Sequence, residues 1–116
     1  MARASTTSDV FNAIAELQRR RILALLRTGE WAATEISETL RLAASATSKH
    51  LRVLREVGLV HVREEGRQRY YALDATGLRE VHEWTGGFER FWSESLDRLE
   101  EHVKELQRKE NDDANR

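Results

Sequence analysis

The chain contains no cysteine and no proline. Without cysteine there is no disulfide framework, no thiolate metal site and no cysteine nucleophile, and a cytoplasmic location is expected. Without proline, element boundaries must be read from glycine, capping residues and apolar periodicity. No run approaches the roughly 18 apolar residues of a membrane span, and no signal-peptide pattern opens the chain, so no membrane partner is expected. A Gly-rich phosphate loop, a Ser-x-x-Lys motif and a nucleophile elbow are all missing. The four histidines, His50, His61, His82 and His102, show no catalytic spacing. The chain therefore does not read as an enzyme, and no catalytic residue, metal site or cofactor is expected.

What is present is a charge asymmetry hidden under a net charge of −1. Residues 1–40 are balanced. Residues 41–73 carry seven basic side chains against three acidic ones, and residues 74–116 carry seven basic against twelve acidic. A polyanion would be drawn to the middle segment and repelled by the end. At 116 residues the chain is one small domain with a limited core, for which dimerisation would supply extra burial.

Periodicity organises the chain. Residues 1–8 read as a loose polar arm. Val10, Phe11, Ile14 and Leu17 follow the capping types Ser8 and Asp9, which predicts a helix over 9–17. A second helix is predicted over 19–27, opened by Arg19-Arg20-Arg21. A triplet of this kind usually opens a helix and is solvated or paired, and only less often meets nucleic acid. A third helix is predicted over 34–41 with Thr34 as the capping candidate, and a fourth over 44–57, closed by Gly58. Val60 and Val62 alternate with polar residues and are answered by Tyr71 and Leu73, which predicts a hairpin of strands 60–65 and 68–73. A long helix over 75–108 carries Leu78, Val81, Trp84, Phe88, Trp92, Leu96, Leu99, Val103 and Leu106 as one stripe, and 109–116 reads as a frayed tail. Residues 9–74 thus form one body with 75–108 appended to it. The stripe must pack on the first helix or on a second copy. Gly86-Gly87 inside it implies a kink or a closely passing backbone.

The functional signal lies in Thr47–Leu73. Ser45, Ser48 and Lys49 open a helix with groups that can meet base edges or phosphates in a major groove, while Thr47, four residues before Leu51, faces the core. His50 either meets a phosphate or orients the turn between helices three and four through a buried hydrogen bond. Arg41 and Arg52 are candidate phosphate contacts. Arg67 and Arg69 flank the hairpin tip, where an arginine can enter a minor groove, or can simply guard a strand edge. The aromatic residues Trp84, Phe88, Phe91 and Trp92 suit a core or a dimer seam.

The ordered pattern Ser48-Lys49-His50-Leu51, Val53-Leu54-Arg55-Glu56-Val57-Gly58-Leu59-Val60 and Gly66-Arg67-Gln68-Arg69-Tyr70-Tyr71-Ala72-Leu73 resembles the ArsR-type winged helix-turn-helix repressors. The resemblance covers roughly residues 9–106. It implies a mainly α fold with a small β-hairpin, in the order of four helices, two strands and a final helix. It also implies a homodimer joined through the first and last helices (Phe11, Trp84, Phe88, Phe91, Trp92, Leu96 and Leu99) and repression from a palindromic operator on double-stranded DNA. Metal-sensing members carry a cysteine pair where this chain has Trp31-Ala32-Ala33, or Asp-x-His followed by His-x-x-Glu on the last helix. Here Glu80-Val81-His82 resembles the first half of that second motif, but Ser93 stands where histidine would follow. Zinc needs three or four protein ligands, so the metal response does not carry over and the inducing signal is open. Trp84 and Phe88-x-x-Phe91-Trp92 resemble a subgroup without metal motifs. A serine often precedes the recognition helix; here Ala43-Ala44 stand there, and Ser45 is a capping candidate one turn later. Two alternatives stay open: a winged-helix protein-interaction module, and a repressor sensing a metal or small molecule at its dimer interface.

Overall fold

The computed structural model describes residues 9–114, so the arm expected at 1–8 lies outside the described residues. The chain divides into two compact units, residues 1–81 and 82–116.

In the first unit, α1 spans Val10–Ile14, and the Asp9 carboxylate accepts from the Phe11 amide at 2.9 Å. The predicted helix over 9–17 is thus shorter than expected, because α2 (Leu17–Leu26) begins before it can continue. The arginine triplet explains how two short helices abut. The last carbonyls of a helix lack intrahelical donors. Arg19 Nε donates to the Ala13 carbonyl at 2.7 Å, and Arg20 Nη1 donates to Ile14 and Ala15 at 2.8 and 3.1 Å. Arg21 Nη2 donates to the Leu40 carbonyl at 3.2 Å, at the end of α3 (Ala33–Leu40). The triplet holds helix ends together.

Thr34 does not cap α3. Ala32 occupies the cap position, and its amide donates to the Glu35 carboxylate at 3.0 Å. Arg41 ends the helix with a left-handed backbone (φ 56°), and the Leu42 amide closes onto the Ser37 carbonyl at 2.9 Å. Then α4 runs Ala44–Glu56 from an extended Ala43, with no side-chain cap. The later start at Ser45 does not occur. The Thr47 amide and hydroxyl both donate to the Ala43 carbonyl, at 3.0 and 3.1 Å, which fixes the first turn. Thr47, Leu51 and Leu54 face inward. Gly58 (φ 79°) turns the chain, and the Leu59 amide returns to the Leu54 carbonyl at 2.9 Å. Together with Ile22, Leu23 and Leu26 of α2, Ile36 of α3, Leu59, Val60 and Tyr71, these helices enclose the core.

The sheet has three strands rather than two. β1 (Trp31–Ala32) pairs with β3 (Gln68–Leu73), which also pairs with β2 (Val60–Glu65), all antiparallel in the order β1-β3-β2. Two residues carry no readable period, so β1 is set by its partner: Trp31 stands opposite Tyr71 and Ala32 opposite Tyr70. The hairpin bounds are those expected, with Val62 opposite Tyr71 and Val60 opposite Leu73. Gly66 (φ 62°) supplies the left-handed residue of the two-residue turn.

After a 3-10 turn at Ala75–Leu78, the expected single long helix is broken into α5 (Arg79–Gly86) and α6 (Glu89–Ala114). The break falls on Gly86-Gly87. Amides of Gly87 and Phe88 reach back only three residues, to Trp84 and Thr85, and glycine lowers the cost of leaving the helix. In the second unit Trp84 and Phe88 meet edge to face at 5.1 Å. α6 continues to Ala114, so 109–114 is helical rather than frayed. Its exposed faces carry good helix formers, and Lys104 pairs with Glu100 one turn earlier at 3.5 Å.

Candidate nucleic-acid interface

The helix-turn-helix formed by α3 and α4 leaves the outer face of α4 to solvent. Leu51 and Leu54 anchor the inner face, so the polar positions Ser45, Ser48, Arg52 and Arg55 fall on one outer stripe at helical spacing, with Lys49 beside it. Strand β3 runs past this stripe. Between them lies an open groove of about 800 Å³, walled by Ser45, Ser48, Lys49, Arg52 and Arg55 on the helix side and by Arg69 and Tyr71 on the strand side. Four cations line it and no carboxylate does. Like charges one turn apart on a helix repel, so the groove favours an anion.

Five candidate residues meet in this groove: Ser45, Ser48, Lys49, Arg52 and Arg69. Three do not line it. Arg41 lies exposed in the turn between α3 and α4, and Arg67 lies exposed at the hairpin tip beside Gly66. His50 is half-buried, and its Nδ1 is buried without a hydrogen-bond partner among the described residues. The buried hydrogen bond expected to orient the turn is therefore not made through that atom.

Arg55 was missed as a groove residue because from sequence it is one more charge near a helix end. Only the passage of β3 alongside reveals its place. Tyr71 is buried in the core and also lines the groove.

Wing charges are largely spent internally. Arg63 donates to Glu30 and Glu65 and lies over the Tyr70 ring at 4.8 Å. The hydrogen bond from Arg63 holds the Glu30 carboxyl below its ordinary range, and the two carboxylates push the guanidinium higher still. Arg69 Nε approaches Glu64 at 3.3 Å. At the wing base, His61 Nε2 meets Asp74 at 2.7 Å. Asp74 is held below the usual carboxylate range, first by its hydrogen bonds from Thr76 and then by His61. The hairpin is thereby tied down at its base and along its β2 strand.

Residues 18–62 match the family model described as "Bacterial regulatory protein, arsR family". The transcriptional repressor SdpR of Bacillus subtilis is 32% identical over 81 residues, covering 70% of this chain and 90% of SdpR. The chain belongs to the ArsR family. The HTH-type transcriptional regulator Rv2034 of Mycobacterium tuberculosis is 36% identical over 86 residues, covering 74% of this chain and 78% of that protein. Among solved structures, a possible transcriptional regulator for arsenical resistance superposes with a TM-score of 0.59 at 44% identity, over 75% of this chain and 88% of its own. The mainly helical winged helix-turn-helix fold expected from the sequence is therefore that of this ArsR-family chain, with one more strand in its sheet. Among the described residues, no group of three or more His, Cys, Asp or Glu side chains is placed to hold a metal ion. No described helix is long and apolar enough to cross a membrane.

Proposed function

We propose that this ArsR-family regulator of transcription is a repressor that binds a palindromic operator as a homodimer. The observation that carries the reading is the acid-free cationic groove between α4 and the wing. In it Ser45, Ser48 and Lys49 occupy the helix N-terminal half, the part that reads base edges in helix-turn-helix proteins. Arg52 contacts phosphate, His50 and Arg41 contribute at the helix flank and the preceding turn, and Arg67 and Arg69 bring the wing to the adjoining minor groove. Repression rather than activation rests on the likeness to SdpR, a named repressor.

Support for the dimer comes from α6. Trp92, Leu96, Leu99, Val103 and Leu106 alternate at spacings of four and three, the repeat of a coiled-coil seam. These side chains are 44% to 57% exposed in the single chain. A second copy covering that stripe, with Trp84, Phe88 and Phe91 beside it and Phe11 of α1 contributing, buries what one chain leaves wet. A two-fold pair of recognition helices about 34 Å apart then requires an operator with matching half-sites.

Fluorescence anisotropy with DNA from upstream of the protein's own gene tests the reading. Wild type should bind with strong salt dependence, and the double variant Ser48→Ala, Lys49→Ala should lose operator preference while sedimenting as wild type does. Absence of binding at low salt would instead favour a protein-interaction module.

A further inference from the structure

Resting on that DNA reading, we infer that Arg55 grips the phosphate backbone and sets affinity without reading sequence. It stands in the last turn of α4, in line with Ser48 and Arg52, on the helix wall of the groove that Arg69 faces from β3. Ser45 and Arg55 are separated by about 15 Å along the helix at about 1.5 Å per residue. A major groove is only about 8.5 Å deep. With the N-terminal half of α4 at the base edges, Arg55 is set back along the helix by more than the groove is deep, towards its rim and the sugar-phosphate strand.

The charge pattern selects Arg55 for this task. Arg63 is engaged by Glu30 and Glu65, and Arg69 shares its charge with Glu64. Among the described residues, neither Arg52 nor Arg55 has an acidic partner. Both remain on a helix face where Lys49 and Arg52 are each one turn from another cation. A passing phosphate strand relieves that repulsion, and the planar guanidinium of Arg55 offers paired donors to phosphate oxygens. With Tyr71 in the wall beneath Arg69, the groove has the form of a seat for one DNA strand between helix and wing.

The experiment compares wild type, Arg55→Ala and Arg55→Lys as full chains, on the upstream duplex and on a scrambled duplex of equal length. Anisotropy is read between about 50 and 200 mM salt. Arg55→Ala should weaken binding to both duplexes by a similar factor and make the log–log salt slope shallower by about one. Arg55→Lys should recover most of the slope. Wild-type affinity and slope in Arg55→Ala would overturn the inference, as would a loss confined to the upstream duplex, which would mean base reading. A lowered melting temperature with an unchanged slope would assign Arg55 to helix stability and also overturn it. If Arg55→Ala matches wild type while the Ser48, Lys49 double variant loses operator preference, only the Arg55 assignment falls. If wild type binds neither duplex, the DNA reading falls and takes the assignment with it.

Discussion

The two units treat the same sequence signal in opposite ways. In the first, apolar residues at helical spacing are sealed: Ile22, Ile36, Leu54 and Leu59 are fully buried. In the second, α6 has an equally regular stripe, yet Leu96 is 55% exposed and Leu99 57%. Periodicity states which face must leave water. It does not state what will cover that face. In the first unit, short helices of different direction and a sheet close over one another. α6 is a single helix of 26 residues, and one helix cannot fold over its own stripe.

Breaking the sealed unit should have the largest effect. Leu54→Ala leaves a cavity in the fully buried core, and should cost about 2–5 kcal/mol, read by urea unfolding. Loss of DNA binding should follow because α4 is displaced. A cost below about 1 kcal/mol would mean that this core is loosely packed. Trp92→Ala should leave the first unit's melting intact and weaken dimerisation by about tenfold or more, read by sedimentation. An unchanged dimer constant would remove Trp92 from the seam and sharpen the contrast between the units differently.

Smaller effects test how the first unit is trimmed. Arg41 holds a left-handed backbone that side chains resist. Arg41→Gly should therefore raise stability by about 1 kcal/mol in chemical denaturation while lowering DNA affinity through the lost cation. Glu30→Gln should have the smallest effect, because its ion pair with Arg63 is exposed and screened. The Glu30 carboxyl is held below its ordinary value, so its contribution is present above about pH 4.5 and fades as pH falls through the depressed value. The variant should lose a little stability near neutrality and show a shallower acid limb in a melting profile against pH. An identical acid limb would mean that the tether contributes nothing to folding.

Much of the architecture was legible locally. The bounds of the hairpin, the inward positions of α4 and the core role of Thr47 follow from alternation, helical spacing and Gly58. The family followed from the ordered Ser-Lys-His-Leu, Gly-Leu-Val and wing pattern. Errors fell where a hydrogen bond or a pairing partner, rather than spacing, decides an element and its ends. Thr34 looks like a cap until the Glu35 carboxylate is seen to take the Ala32 amide. The helix over 9–17 looks continuous until the carbonyls of α1 are seen to be held by Arg19 and Arg20. β1 has no local signature because two residues cannot display a period.

By itself, the sequence determined the hairpin and the helical stretches, the apolar face of each helix, the family, and the concentration of positive charge in residues 41–73. Those properties depend on neighbours a few residues away, and short-range spacing records them. The tertiary structure alone decided which of those charges remain available. It drew Arg63 onto Glu30, thirty-three residues away, spent the Arg19–Arg21 triplet on helix ends, and laid β3 beside α4 so that Arg55 and Arg69 line one groove. Charge is a property of a residue, but its availability depends on which acids and carbonyls the fold brings within hydrogen-bonding reach.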